Sequence, residues 1–130
     1  MQKFTLDSTI EPKNVDGTLL KTRKHDVVNG AYTYEFKSKD GNVFLTALAG
    51  KLQEVTYECR GIFPWSKKRK LKNLLTIYGV DKTWTKVFNN RSGCLYHNPE
   101  EVYYATWNRK SDFISFGVMF FREEMQRVVT

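Results

Sequence analysis

The chain is poor in the residues on which small catalytic and disulfide-stapled domains are built. Its 130 residues include two cysteines, two histidines and three prolines. Cys59 and Cys94 are too few for a disulfide framework or a four-ligand zinc site, and unpaired thiols of this kind are ordinarily buried core residues. His25 and His97 are far apart in the chain, as are the two cysteines, and no metal-ligand spacing results. Gly61, Gly79 and Gly93 are isolated, so there is no phosphate-cradling glycine loop. No apolar run approaches the ~18–20 residues that a membrane span requires. Met1-Gln2-Lys3-Phe4 lacks the charged-then-apolar order of a secretory leader. That leans toward a cytoplasmic protein, with export after removal of a leader as the alternative. The expectation is a domain with no transmembrane segment, no metal and no cofactor.

What is present suffices for a core. Hydrophobic residues make up 41% of the chain and aromatic residues 15%, a composition that excludes disorder. A chain of this length buries roughly two-thirds of its unfolded surface and needs no staple. Residues 1–18, with Pro12 and Asp16-Gly17, read as an irregular segment, and residues 19–130 as one α+β domain.

The first half reads as consecutive antiparallel strands. Asn29-Gly30 is a type I′ hairpin signal between a strand at Leu19–Val28 and one at Ala31–Ser38. Asp40-Gly41 turns the chain into Val43–Ala49, and Gly50 turns it into Leu52–Arg60. Val55, Tyr57 and Cys59 alternate with Thr56, Glu58 and Arg60, the mark of a sheet with one solvated face. In the second half, Trp84–Phe88, Cys94–His97, Val102–Trp107 and Asp112–Phe121 read as extended. The last is apolar on both faces, which predicts a central strand. The tail from Arg122 reads either as a short helix or as an edge strand.

A helix over about 66–78 separates the halves. Leu71, Leu74, Leu75 and Tyr78 fall on one helical stripe, with Ser66 as the predicted N-cap and Gly79 as C′. The predicted architecture is a mostly antiparallel, curved sheet of about seven strands, ordered ββββ-α-βββ, packed around that amphipathic helix.

The net charge of +7 is concentrated on this helix. Residues 61–79 hold five cations, Lys67, Lys68, Arg69, Lys70 and Lys72, and no acidic residue. A helix N-terminus already carries about half a positive charge, so each added cation costs a few tenths to ~1 kcal/mol there. Setting Leu71 at zero, Lys67 and Lys68 point to the side that the next turn buries, which predicts a first turn projecting beyond the sheet. Free backbone N–H groups, the helix dipole and mobile cations together suit phosphate or another anion. Phe63 and Trp65 are placed to stack on bases. Lys21, Arg23 and Lys24 form a second cluster that extends the patch if the fold brings it alongside.

The expected function is therefore non-enzymatic: a binding domain whose basic helix start contacts an anionic partner, nucleic acid being favoured. One alternative is a protein-interaction or inhibitor domain, exported or not, whose charge serves solubility. Another is a small basic ribonuclease using His25 with Asp26, or His97 with Glu100 or Glu101. No signature of an oligomeric state is present.

Overall fold

Eight antiparallel strands form one open sheet, and two helices pack against its opposite faces. The computed structural model describes residues 2–26, 28–39, 41–59 and 64–129. The chain builds one four-strand meander, β1 (Thr18–Lys24), β2 (Ala31–Ser38), β3 (Gly41–Leu48) and β4 (Lys51–Glu58). Helix α1 (Pro64–Ile77) follows. A second meander comprises β5 (Thr85–Asn90), β6 (Gly93–His97), β7 (Tyr103–Asn108) and β8 (Phe113–Val118), and helix α2 (Met119–Val129) follows it. The sheet order is β1-β2-β3-β4-β8-β7-β6-β5, so the last strand of each meander meets the other at the centre. The α+β architecture with an antiparallel sheet is as expected, with eight strands in place of seven. No helix among the described residues is long and apolar enough to cross a membrane.

The core lies between α1 and one face of the sheet, here called the inner face. Val43, Leu45, Val55, Tyr57, Ile114 and Phe116 project from it and are buried. Leu74 of α1 is buried among them, with Leu71, Leu75 and Tyr78 packed alongside, as the helical stripe requires. The N-terminal segment closes one side of this core through Phe4 and Val15. Its tie is a pair of tyrosines. Tyr57 donates to the Gln2 carbonyl at 2.7 Å, its hydroxyl lies 2.5 Å from that of Tyr78, and Tyr78 accepts from the Phe4 N–H at 3.1 Å. Burial pushes the pKa of both phenols upward, so they stay protonated and act here as hydrogen-bonding groups.

Turn chemistry departs from expectation at two places. The Asn29-Gly30 signal predicted a type I′ turn, which needs positive φ at both residues. Only Gly30 (φ 81) has it, and the Ala31 N–H bonds to the Val28 carbonyl, as in a type II turn. The His25 N–H continues the β1–β2 register by bonding to the Ala31 carbonyl, and β1 ends at Lys24 rather than at Val28, which already belongs to the turn. Both central residues have positive φ instead at Ala49 (φ 51) and Gly50 (φ 79), in the two-residue connection of β3 to β4. Leu48 and Lys51 are paired there, and the register of the whole meander leaves only two residues to reverse the chain.

The helices also differ at their beginnings. Proline is favoured in the first turn, where its missing N–H costs nothing, and α1 begins at Pro64. Ser66 is therefore inside the helix, not its N-cap. The C-terminal end is as predicted: Gly79 (φ 74) donates to the Thr76 carbonyl and Val80 to that of Leu75, the Schellman pattern. Strand β8 is central, as its two apolar faces implied, but stops at Val118. Met119, Phe120 and Phe121 turn into α2, with Phe121 buried and Phe120 68% exposed.

Leu74→Ala should lower stability by about 2–5 kcal/mol, because it opens a cavity beneath α1. Ile77→Ala, at an exposed position of the same helix, should shift it by less than about 0.5 kcal/mol. Equilibrium urea denaturation of both variants measures the difference.

Candidate functional site

The outward side of α1 carries three of the five cations of the basic run in one stripe. Taking about 100° per residue, Trp65, Arg69, Lys72 and Thr76 lie within about 60° of one another, and Lys68 borders them. All five are exposed, Trp65 to 59%. No acidic residue occupies the first turn, so the cations add to the positive end of the helix dipole.

The remaining two cations of the run face the sheet. Lys67 was expected to project clear of the core; instead its Nζ lies 2.6 Å from Asp112 Oδ2, at the start of β8. The pair is partly open to water and is worth about 0.2–1 kcal/mol. It fixes where the helix start sits, because Asp112 is itself held in a tight turn (φ 57) with its carbonyl accepting from the Cys59 N–H. Lys70 is half-buried, and its charge acts on the Cys59 thiol. Of the two proposed stacking residues, Trp65 stands on the exposed stripe, and Phe63 lies outside the described residues.

The second basic cluster is elsewhere. Lys21 pairs with Glu35 and Arg23 with Thr33, and these positions carry their side chains to the outer face of the sheet, away from α1. Lys24, paired with Tyr32, falls on the inner side. Strand β1 is also four strands from β8, or about 19 Å along the sheet. The fold does not place Lys21 and Arg23 beside Lys68, Arg69 and Lys72.

The histidines do not meet the carboxylates named for them. His25 Nε2 lies 2.7 Å from Thr33 Oγ1. His97 Nε2 is buried with no hydrogen-bond partner among the described residues. Both cysteines are free and buried. Burial raises the Cys59 pKa to about 11, with the Lys70 charge opposing and the Asp112 charge adding to it. Burial also raises that of Cys94. Neither thiol is activated as a nucleophile at neutral pH.

Sequence reasoning missed a polar row on the outer face. The register aligns Arg23, Thr33, Thr46, Glu54, Gly117, Tyr104, His97 and Thr85, one residue from each of the eight strands. At its centre Tyr104 reaches across β8 and donates to Glu54 Oε2. Gly117 makes this contact feasible, since a Cβ there would stand 2.5 Å from the Tyr104 hydroxyl and 2.6 Å from its ring. Burial, followed by the Glu54 charge, pushes the Tyr104 pKa upward, so the phenol stays protonated and donating. A glycine inside an apolar strand was the one visible signal of this close approach.

Comparison of the chain with protein-family models, curated proteins and solved structures finds no match.

Gly117→Ala should destabilise the fold by about 1–3 kcal/mol by driving Tyr104 off Glu54, measurable by urea denaturation. Cys59 gives a pH prediction. Folding favours its neutral thiol, so its contribution is complete below the unfolded value near 9 and is lost progressively as pH rises through about 11. Cys59→Ala should flatten the stability–pH curve over that window.

Proposed function

We propose that this chain is a binding domain for a polyanion, with nucleic acid as the partner and the outward side of α1 as the contact surface. The observation that carries this reading is the stripe of Trp65, Lys68, Arg69 and Lys72 on one rigid helix. Cations supply the phosphate contacts, and an exposed tryptophan beside them supplies a stacking surface that every base can use. Residues 61–79 carry no acidic side chain, so the segment's own charge is of one sign. A helix start built for stability alone would carry Asp or Glu.

A second reading, a protein partner added at a sheet edge, is favoured by the exposure of Leu19 and Leu20 on β1 and of Val87 and Phe88 on β5. Both are edge strands with backbone groups available for pairing.

Replacing Lys68, Arg69 and Lys72 together by Gln should weaken binding to single-stranded nucleic acid and flatten its dependence on log[salt] by about 2 units of slope. Trp65→Ala should lose about 1–3 kcal/mol of single-strand affinity while leaving the salt slope unchanged. Fluorescence anisotropy at several salt concentrations reads both effects. Equal affinity of the triple variant and the parent protein would sink the proposal, and salt-insensitive capture of a protein partner through an edge strand would favour the second reading.

A further inference from the structure

A cavity of about 510 Å³ lies between α2 and the outer face of the sheet, on the opposite side from the basic stripe of α1. His25, Thr46 and Glu54 line it from the sheet, and Phe121, Arg122 and Met125 from the helix. Its volume falls in the usual range of small-molecule sites, roughly 300–1,000 Å³. The sheet side is held by hydrogen bonds: His25 Nε2 to Thr33 Oγ1 at 2.7 Å, and Thr33 Oγ1 to Thr46 Oγ1 at 3.0 Å.

Two opposite charges share this cavity without forming an ion pair with each other. Tyr104 serves both. Its hydroxyl donates to Glu54, and its ring carries the Arg122 guanidinium 5.5 Å from the centroid. Glu54 takes one other hydrogen bond, a long one of 3.4 Å from Thr56 Oγ1, although a carboxylate offers about four acceptor positions. Arg122 has five N–H donors, and none is in a hydrogen bond or ion pair among the described residues. Phe121 and Met125 give the same cavity an apolar wall.

We propose that this cavity binds a small molecule that carries an oxyanion and an N–H donor on an apolar skeleton. The oxyanion takes the planar donor fork of Arg122, and the N–H group takes the remaining lone pairs of Glu54. The skeleton lies against Phe121 and Met125. Free amino acids and nucleoside monophosphates share this chemistry, and both fit the volume. The site is independent of the polyanion surface and on the other face of the sheet, so either proposal can fail alone.

The test is a ¹H–¹⁵N NMR titration of the full chain with two separate panels, the free amino acids and the nucleoside 5′-monophosphates. At least one compound should saturate with a Kd below about 1 mM. Its largest shifts should fall on the cavity residues of β3, β4 and α2. Arg122→Met and Glu54→Gln should each weaken it about tenfold or more. Met125→Trp, which fills the cavity without touching the Glu54–Tyr104 bond, should abolish it, and Lys68→Gln should leave it unchanged. The responding panel identifies the source of the ligand. Absence of saturable binding in both panels overturns the proposal, as do shifts centred outside the cavity or full affinity in the Met125→Trp variant.

Discussion

The pairing of β4 with β8 is the constraint on which the rest of the molecule depends. Each strand ends a meander whose other contacts are local hairpins, and this one ladder joins the halves within the sheet. Val55 opposite Phe116 and Tyr57 opposite Ile114 place four fully buried side chains at the seam, on the face that receives Leu74 of α1. On the other face Thr56 Oγ1 lies 2.7 Å from Ser115 Oγ, and Tyr104 crosses β8 to Glu54. The seam thus organises both sides. Its inner side is the apolar core, and its outer side is the centre of the polar row.

The two helices divide the chemistry between these faces. Helix α1 buries an apolar stripe and turns its cations outward, with Lys67 spent on Asp112 to anchor its start above β8. Helix α2 covers polar groups instead of a second hydrophobic core. The half-buried Glu54 carboxylate takes its hydrogen bonds from hydroxyls, so the Arg122 charge is left to the Tyr104 ring and the cavity. One chain in this way holds three outward cations on α1 and a small mixed-charge cavity on the other face of the sheet.

Much of the fold was legible in the chain because its signals are local. Turn signals at Asn29-Gly30, Asp40-Gly41 and Gly50 bounded β2, β3 and β4, period-two alternation marked β4, the spacing of Leu71, Leu74, Leu75 and Tyr78 marked α1, and Gly79 marked its end. Boundaries failed where a tertiary contact outweighed a local preference. Asn29-Gly30 carried the stronger hairpin signal, yet the pairing of β3 with β4 required positive φ at Ala49 and Gly50. Met119–Phe121 looked like more strand because apolar residues suit either structure. The Met119 N–H makes one more bond in the β7–β8 register, to the Val102 carbonyl, and the chain then turns into α2, which buries Phe121.

The amino-acid sequence by itself determined the class of domain, the position of the first helix and the composition of its exposed stripe, since each rests on residues within a few turns of one another. Only the tertiary structure decided the partners of the charges. Lys67 meets Asp112 across 45 positions and Tyr104 meets Glu54 across 50, distances at which no periodicity carries information. The basic run was visible as composition, but its division into two sheet-facing cations and three solvent-facing ones followed from where β8 begins. The cavity under α2 depends on the register that brings Thr46 and Glu54 to the outer face, and the Tyr104–Glu54 bond beside it depends on the missing side chain at Gly117. Both arise from long-range pairing, and a one-residue slip would have turned that row to the opposite face.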